Sequence, residues 1–275
     1  MPQENAASYN AGIIRGHFGT LGKPEEYCPK IGLILGTGWG DALPLNDRPG
    51  LPLTDLMGFG ALGDLPGHSR RLIAANFGGH EVIVQSGRVH LNENWGTDIA
   101  AMVRLQITTL LELGVRTLIL TAAVGSLAGR VPVGGVCVID GFLTIFSQTA
   151  MPLVGGEFVS PEDTLDPGLR EIAQIAAYGV ALPVREGGHA FVRGPFFEGR
   201  RYDKAAVAAA GVKVVGMSIL PEACVAALYP GVKVLGLGYV TNDDIAEHAH
   251  GANVAAAKTN AGKLGALIEG IVSRL

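Results

Sequence analysis

Runs of basic residues are missing from this chain. Lys and Arg number 21 against 25 Asp and Glu, a formal net charge of −4, and the cations stand dispersed. That absence argues against a nucleic acid or an anionic membrane as partner, because both are gripped through many phosphates at once. Long apolar runs are missing as well. Nothing approaches the ~20 residues of a membrane span, and even the stretch Val232 to Val240 has only the length of a buried strand. Met1 to Phe18 lack the basic start and unbroken apolar segment of a secretory leader; they read as a short amphipathic helix around Ile13 and Ile14. A soluble protein is the expectation. Cysteine is scarce: Cys28, Cys137 and Cys224 are the 3 in the chain, an odd number, widely spaced, which suits reduced thiols in a cytoplasm. Cys137 lies in an apolar run and reads as a small core residue. No Pro/Gly/Ser-rich linker, charge run or internal repeat divides the chain. Residues 1–275 therefore read as a single domain, with 1–29 as an N-terminal helical extension.

What the chain does have is apolar mass. Hydrophobic residues make up 48% and charged residues only 17%, enough for a large core and for apolar surface left to partner subunits. Short apolar runs alternate with helix-like stretches, the pattern of α/β architecture. Strands are expected at Ile31 to Leu35, Thr117 to Thr121, Val136 to Ile139, His189 to Arg193, Val212 to Gly216 and Val232 to Thr241. Leu72 to Asn76 and Glu81 to Ser86 flank Gly78-Gly79 and read as a hairpin, the glycines supplying positive φ. Helices are expected from Asp98 as cap to Leu113 with Gly114 as stop, from Asp166-Pro167 to Tyr178, over Arg200 to Ala210, over Pro221 to Leu228, and from Gly251 to the C-terminus. The motifs below fall where strands end, the edge at which open α/β sheets collect ligands.

Gly36-Thr37-Gly38-Trp39-Gly40 follows the first strand, so its N–H groups and the Thr37 hydroxyl are placed to wrap an anion; a plain glycine turn is the competing reading. It is not a P-loop, and Asp41 stands where a dinucleotide fingerprint wants its third glycine. Arg88 and His90 lie two apart past a strand end, so on extended backbone both face one side. A guanidinium fork there suits phosphate oxygens or an ion pair with a carboxylate, and His90 suits a ligand or a structural hydrogen bond. Glu198 follows the rigid Gly194-Pro195-Phe196-Phe197 and on local grounds is a first-turn helix acid. Locally, Asn242 is a strand-end turn residue, Ser218 a cap, His68 a loop histidine, and Phe197 and Met217 core. His248 and His250 lack the further ligands a metal site needs.

Taken in order, Gly36-Thr37-Gly38, Pro66-Gly67-His68, Gly87-Arg88-Val89-His90, Thr121-Ala122-Ala123, Gly194 to Glu198, Val215 to Glu222 and Thr241-Asn242 resemble the trimeric purine nucleoside phosphorylases from about residue 30 to the end. The resemblance implies a central mixed, twisted β-sheet flanked by helices, and a metal-free pentosyltransferase without cofactor. Its substrates would be a purine nucleoside and inorganic phosphate, its products a free base and a (deoxy)ribose 1-phosphate, its assembly a cytoplasmic homotrimer. It assigns phosphate to Thr37, His68, Arg88, His90, Ser218 and the Ala123 N–H. It assigns base and sugar to Phe197, Glu198, Met217, Asn242, Asp244 and His250, with Glu198, Asn242 and His90 in catalytic roles. Cleavage of the glycosidic bond would send its electrons into the purine, so donors near O6 and N7 would lower the barrier.

The chain departs from that pattern in places. Asn92 stands where a Tyr-like sugar contact is usual, Ala122-Ala123-Val124-Gly125-Ser126 replaces an Asn-Ala-Ala-Gly-Gly run, and the loop that sends an aromatic to a neighbour's site is short, leaving Phe146 or Phe158 as substitutes. Asp243-Asp244 leave the base preference open, because acidic residues in that loop help accept a 6-amino group in the related methylthioadenosine phosphorylases. A 5′-methylthioadenosine or 5′-methylthioinosine phosphorylase and a non-catalytic nucleoside-binding protein are the alternatives.

Overall fold

The computed structural model describes residues 3–63, 69–93, 99–144, 154, 156–192, 199, 201–243 and 260–275. Helix α1 (Gln3–Thr20) precedes β1 (Ile31–Leu35), the two-residue β2 (Leu51–Pro52), and the hairpin of β3 (Arg71–Phe77) and β4 (His80–Ser86). Then come α2 (Ile99–Leu113), β5 (Thr117–Ser126), β6 (Val136–Leu143), α3 (Pro167–Gly179), β7 (Val184–Phe191), α4 (Asp203–Ala209), β8 (Val214–Gly216), α5 (Leu220–Ala226), β9 (Lys233–Asn242) and α6 (Ala261–Val272). The strands form one mixed sheet in the order β2-β3-β4-β1-β5-β8-β7-β6-β9, and β9 pairs back with β5. Strands β5, β8, β7, β6 and β9 therefore close into a ring, while β1 to β4 extend from it as an open wing.

Each local element has a cause in the chain. Gly78 and Gly79 take φ of +56° and +87°, the paired positive values of a tight hairpin turn. Gly114, at φ +123°, ends α2, and its bare Cα lies so close to Cys28 that a Cβ would stand 2.2 Å from the sulfur. Asp166 caps α3 by accepting the Leu169 N–H at 2.9 Å, with Pro167 in the first turn, where its missing N–H is harmless. Helices α1, α2 and α5 cover one face of the sheet and α3 and α6 the other. Side chains such as Ile107, Leu110, Leu264, Leu267 and Ile268 are fully buried, each large aliphatic contributing about 1.5–3 kcal/mol. Among the described residues no helix is long and apolar enough to cross a membrane.

Three expectations need correction. The strand expected to stop at Thr121 runs on to Ser126, because Ala122, Val124 and Gly125 pair with β9 and the last two residues with β8. Thr121-Ala122-Ala123 is thus strand, and not a loop past a strand end. The strand expected from His189 begins at Val184. Its interior Gly187-Gly188, which discourages a strand on propensity, leaves room for Lys213 and Val212, which lie where those Cβ atoms would be. The helix expected over Arg200 to Ala210 is shorter, Asp203–Ala209. The Asp98 cap and the start of the last helix lie outside the described residues.

Candidate active site

The glycine turn after β1 leans on the middle of β5. Gly36 N–H donates to Thr121 Oγ1 at 3.0 Å, and Trp39 Nε1 to the Ala122 carbonyl at 3.1 Å. A Cβ on Gly36 would stand 2.4 Å from the Thr121 carbonyl oxygen, so only glycine permits this approach. Gly38, at φ +83°, turns the chain just past half-buried Thr37.

Arg88 enters the same region from the end of β4. The Gln106 side chain of α2 fixes its approach, accepting from the Val89 N–H at 2.8 Å and from Gln85 Nε2 at 2.6 Å. Arg88 is 1% exposed. Its Nη1 meets Glu222 Oε1 at 2.5 Å, and its Nη2 donates to the Thr121 carbonyl. The ion-pair reading of Arg88 is realised, with a carboxylate 134 positions away. Glu222, also 1% exposed, closes the Val215 to Glu222 motif, which gives it no role. Its one signal is an acid inside the apolar Leu220-Pro221-Glu222-Ala223-Cys224-Val225, since a buried charge requires a partner.

His90 is held at three points. Its N–H donates to Glu93 Oε1 at 2.5 Å, its Nδ1 accepts the Asn92 N–H at 3.2 Å, and its Nε2 lies 3.3 Å from Ser218 Oγ. Burial first, then the positive charges of Arg88 and Arg70, lower its pKa from 6.5 to about 4. The ring is therefore neutral at pH 7. With Nδ1 accepting, its proton sits on Nε2 and points toward Ser218.

Ser218 is placed by backbone strain. Ile219, β-branched and fully buried, takes φ +75° and ψ −53°, and Leu220 N–H closes on the Ser218 carbonyl at 3.0 Å. This is the rare hand of γ-turn, and such strain persists where surrounding packing over-determines the backbone. Met217, one residue earlier, receives Asn92 Nδ2 at its sulfur at 3.1 Å. Asn92 thus props Met217.

Asn242 ends β9. Its Oδ1 accepts from Thr241 Oγ1 at 3.0 Å, and its Nδ2 lies 3.1 Å from where a Cβ on Gly125 would be. The bulge between Val124 and Gly125 and the bare Gly125 make room for this amide. The structure brings His90, two residues from Arg88, against Ser218, lays the Gly36 turn against Arg88 and Thr121, joins Met217 to Asn92, and sets Asn242 against Gly125. His68, Phe197, Glu198, Asp244 and His250 lie outside the described residues, as do His248 and Phe146.

Comparison with known proteins agrees with this fold. A family model described as the phosphorylase superfamily matches residues 30–273. A purine nucleoside phosphorylase of Mycobacterium tuberculosis is 32% identical over 250 residues, covering 89% of both chains. Purine nucleoside phosphorylase 1 of Geobacillus stearothermophilus is 29% identical over 222 residues, 78% of each. Among solved structures, a Schistosoma mansoni purine nucleoside phosphorylase in complex with adenosine superposes with a TM-score of 0.78 at 25% identity, over 97% of each chain. A second isoform from that organism, in complex with cytosine and ribose-1-phosphate, reaches 0.79 at 25% identity, over 97% of this chain and 96% of that one.

Proposed function

The chain belongs to the phosphorylase superfamily, and from that premise we propose that it is a purine nucleoside phosphorylase, cleaving the glycosidic bond of 6-oxopurine nucleosides with phosphate. The observation that carries the reading is the meeting of His90, two residues from Arg88 past the end of β4, with Ser218, past the end of β8. Phosphate takes its charge-assisted donor from Arg88 and neutral donors from His90 Nε2, Ser218, Thr37 and the Ala123 N–H. Held there, it attacks C1′ as the sugar gains oxocarbenium character, and its own negative charge stabilises that cation. The base leaves with the bonding electrons. Asn242, oriented by Thr241, donates toward O6 and N7, and Glu198 holds N1–H, so that charge developing on the purine meets preplaced groups.

No covalent enzyme intermediate, metal or organic cofactor is needed for this sequence of events. We read residues 1–275 as one catalytic domain with 1–29 as an accessory helix. We also read the molecule as a cytoplasmic homotrimer: its thiols at Cys28, Cys137 and Cys224 are free, and Phe158 is fully exposed, as a residue offered to a neighbour would be. Incubation with inosine, guanosine, adenosine and methylthioadenosine, with and without phosphate, tests the activity. Base release from inosine or guanosine that requires phosphate supports it. Nucleoside affinity without turnover would instead mark a binding protein, and turnover confined to methylthioadenosine a methylthio-nucleoside phosphorylase.

A further inference from the structure

A second buried guanidinium acts on the same histidine as Arg88. Arg70, the residue before β3, is 5% exposed and takes φ +49°, a left-handed conformation that a side-chain-bearing residue adopts only at a cost. Its Nη2 pairs with Glu93 Oε2 and its Nη1 donates to the Gly63 carbonyl. Its Nε is buried with no acceptor among the described residues. The Arg70 carbonyl accepts the Leu53 N–H at 2.8 Å, which fixes the main chain in that strained turn. The other oxygen of Glu93 is the one that holds the His90 N–H at 2.5 Å. An unbroken chain of contacts thus runs from Gly63 through Arg70 and Glu93 to the backbone of His90, and on through the His90 ring to Ser218.

We propose that Arg70 is a positioning residue of the phosphate site, aiming His90 through Glu93 and adding a second buried cation to the anion's surroundings. The proposal rests on the phosphorolytic reading above. Several observations set Arg70 apart from an ordinary loop staple. An exposed pair would contribute little, whereas this one is shielded on both sides, at 6% and 10% side-chain exposure. A plain staple would not need strained backbone; such outliers cluster at functional sites because the surroundings enforce them. Glu93 divides its two oxygens between Arg70 and His90, so the carboxylate cannot turn without releasing one of them. Arg70 is also close enough to act on the imidazole charge, and helps keep that ring neutral.

The charge arrangement makes physical sense of the pairing. Arg88 is matched by Glu222 and Arg70 by Glu93, so each guanidinium enters a dry region already compensated. A lone buried cation would be costly before phosphate arrives. With the carboxylates in place the resting site is close to neutral, yet it presents oriented donors to an incoming anion.

The test uses full-length wild type, Arg70→Gln, Arg70→Gly, Arg70→Lys, Glu93→Gln and the Arg70→Gln/Glu93→Gln double variant. Initial rates with inosine are measured against phosphate and against inosine, with thermal melts of every protein. Arg70→Gln, Arg70→Gly and Glu93→Gln should raise the phosphate KM at least about tenfold and leave the inosine KM within about twofold. The double variant should be no worse than the worse single one, since the two residues act as a unit. Arg70→Lys, which keeps the charge but cannot span Gly63 and Glu93 together, should fall between wild type and Arg70→Gln. Arg70→Gly relieves the strained φ, so it separates loss of folding from loss of phosphate affinity, and Arg70→Lys decides if neither other variant folds. An unchanged phosphate KM in any folded Arg70 variant overturns the proposal. So does a loss that raises both KM values equally and follows the melting temperature. A wild type that releases no base with phosphate overturns the functional reading, and the proposal falls with it; an active wild type with indifferent variants sinks the proposal alone.

Discussion

Replacing Glu222 by Gln should loosen the fold and tighten the hold on phosphate. Its carboxylate meets Arg88 Nη1 at 2.5 Å, with side chains 2% and 1% exposed respectively. Gln keeps the size and an acceptor for that contact but withdraws the charge. Removing one member of a buried pair outright costs about 3–5 kcal/mol. With one hydrogen bond retained the loss should be smaller, about 2–3 kcal/mol. The same carboxylate repels an anion bound at the guanidinium's other edge. At about 6 Å and an effective dielectric near 20, two unit charges interact by about 3 kcal/mol, and a tenfold gain in affinity needs only about half of that. Urea unfolding, with and without phosphate, measures the first effect; initial rates at varied phosphate measure the second. The variant should have a lower unfolding midpoint, a phosphate KM lower by about threefold to thirtyfold, and a larger gain in stability on adding phosphate than wild type shows. If Glu222→Gln instead weakens phosphate as much as Arg88→Ala does, the carboxylate serves to aim Arg88 and the counter-charge argument is wrong.

Other outcomes follow from the same groups. His90 and His189, with pKa values lowered to about 4 and about 3 mainly by burial, stay neutral in the fold, whereas the unfolded chain takes up protons below about 6.5. Stability from both is complete above that pH and is lost as pH falls toward 4 and then 3, by up to about 2.7 kcal/mol per pH unit near pH 5. His189→Leu should roughly halve the slope, and urea midpoints that do not move between pH 7.5 and 4.5 would refute this. Inosine or guanosine should exceed adenosine in kcat/KM by at least about a hundredfold, and Asn242→Asp should narrow the gap by accepting from a 6-amino group. A wild type that prefers adenosine would hand the base to Asp243-Asp244. Gly36→Ala should lose phosphorolysis and at least about 2 kcal/mol of stability, because its Cβ would lie 2.4 Å from the Thr121 carbonyl and 3.2 Å from Arg88 Nη2; near-wild-type rates would contradict that packing.

Short-range signals account for what could be read without coordinates. The Gly78-Gly79 turn, the Asp166-Pro167 helix start and the Gly114 stop are decided by neighbours within a few residues, and each stands as expected. The ends of β5 and β7 are decided elsewhere. β5 continues because β9 and β8 offer it partners from far downstream, such as Val214 for Ser126 and Gly238 for Ala122, a range that local propensity does not encode. Site residues divide in the same way. Arg88, His90, Ser218 and Asn242 are visible as polar residues next to apolar runs. Glu222, Glu93 and Arg70 act through contacts that only the fold creates, and Arg70 carries a backbone angle that its residue type disfavours. Glu222 alone leaves a trace, as a charge with no local excuse for burial.

The ring closed by β9 on β5 has a consequence for how the molecule breathes. An open sheet can lose its outermost strand and expose amides one ladder at a time. Here β9 is bonded on one side to β5 and on the other to β6, and β5 is bonded to β1, β8 and β9. No rim is available from which Leu120 or Leu237 could be peeled. Their amide protons should exchange with solvent only when the whole domain comes apart, while those of α1 report mere fraying. The platform beneath the anion and the purine is therefore the last part of the protein to open, so catalytic competence and global folding are lost in a single event.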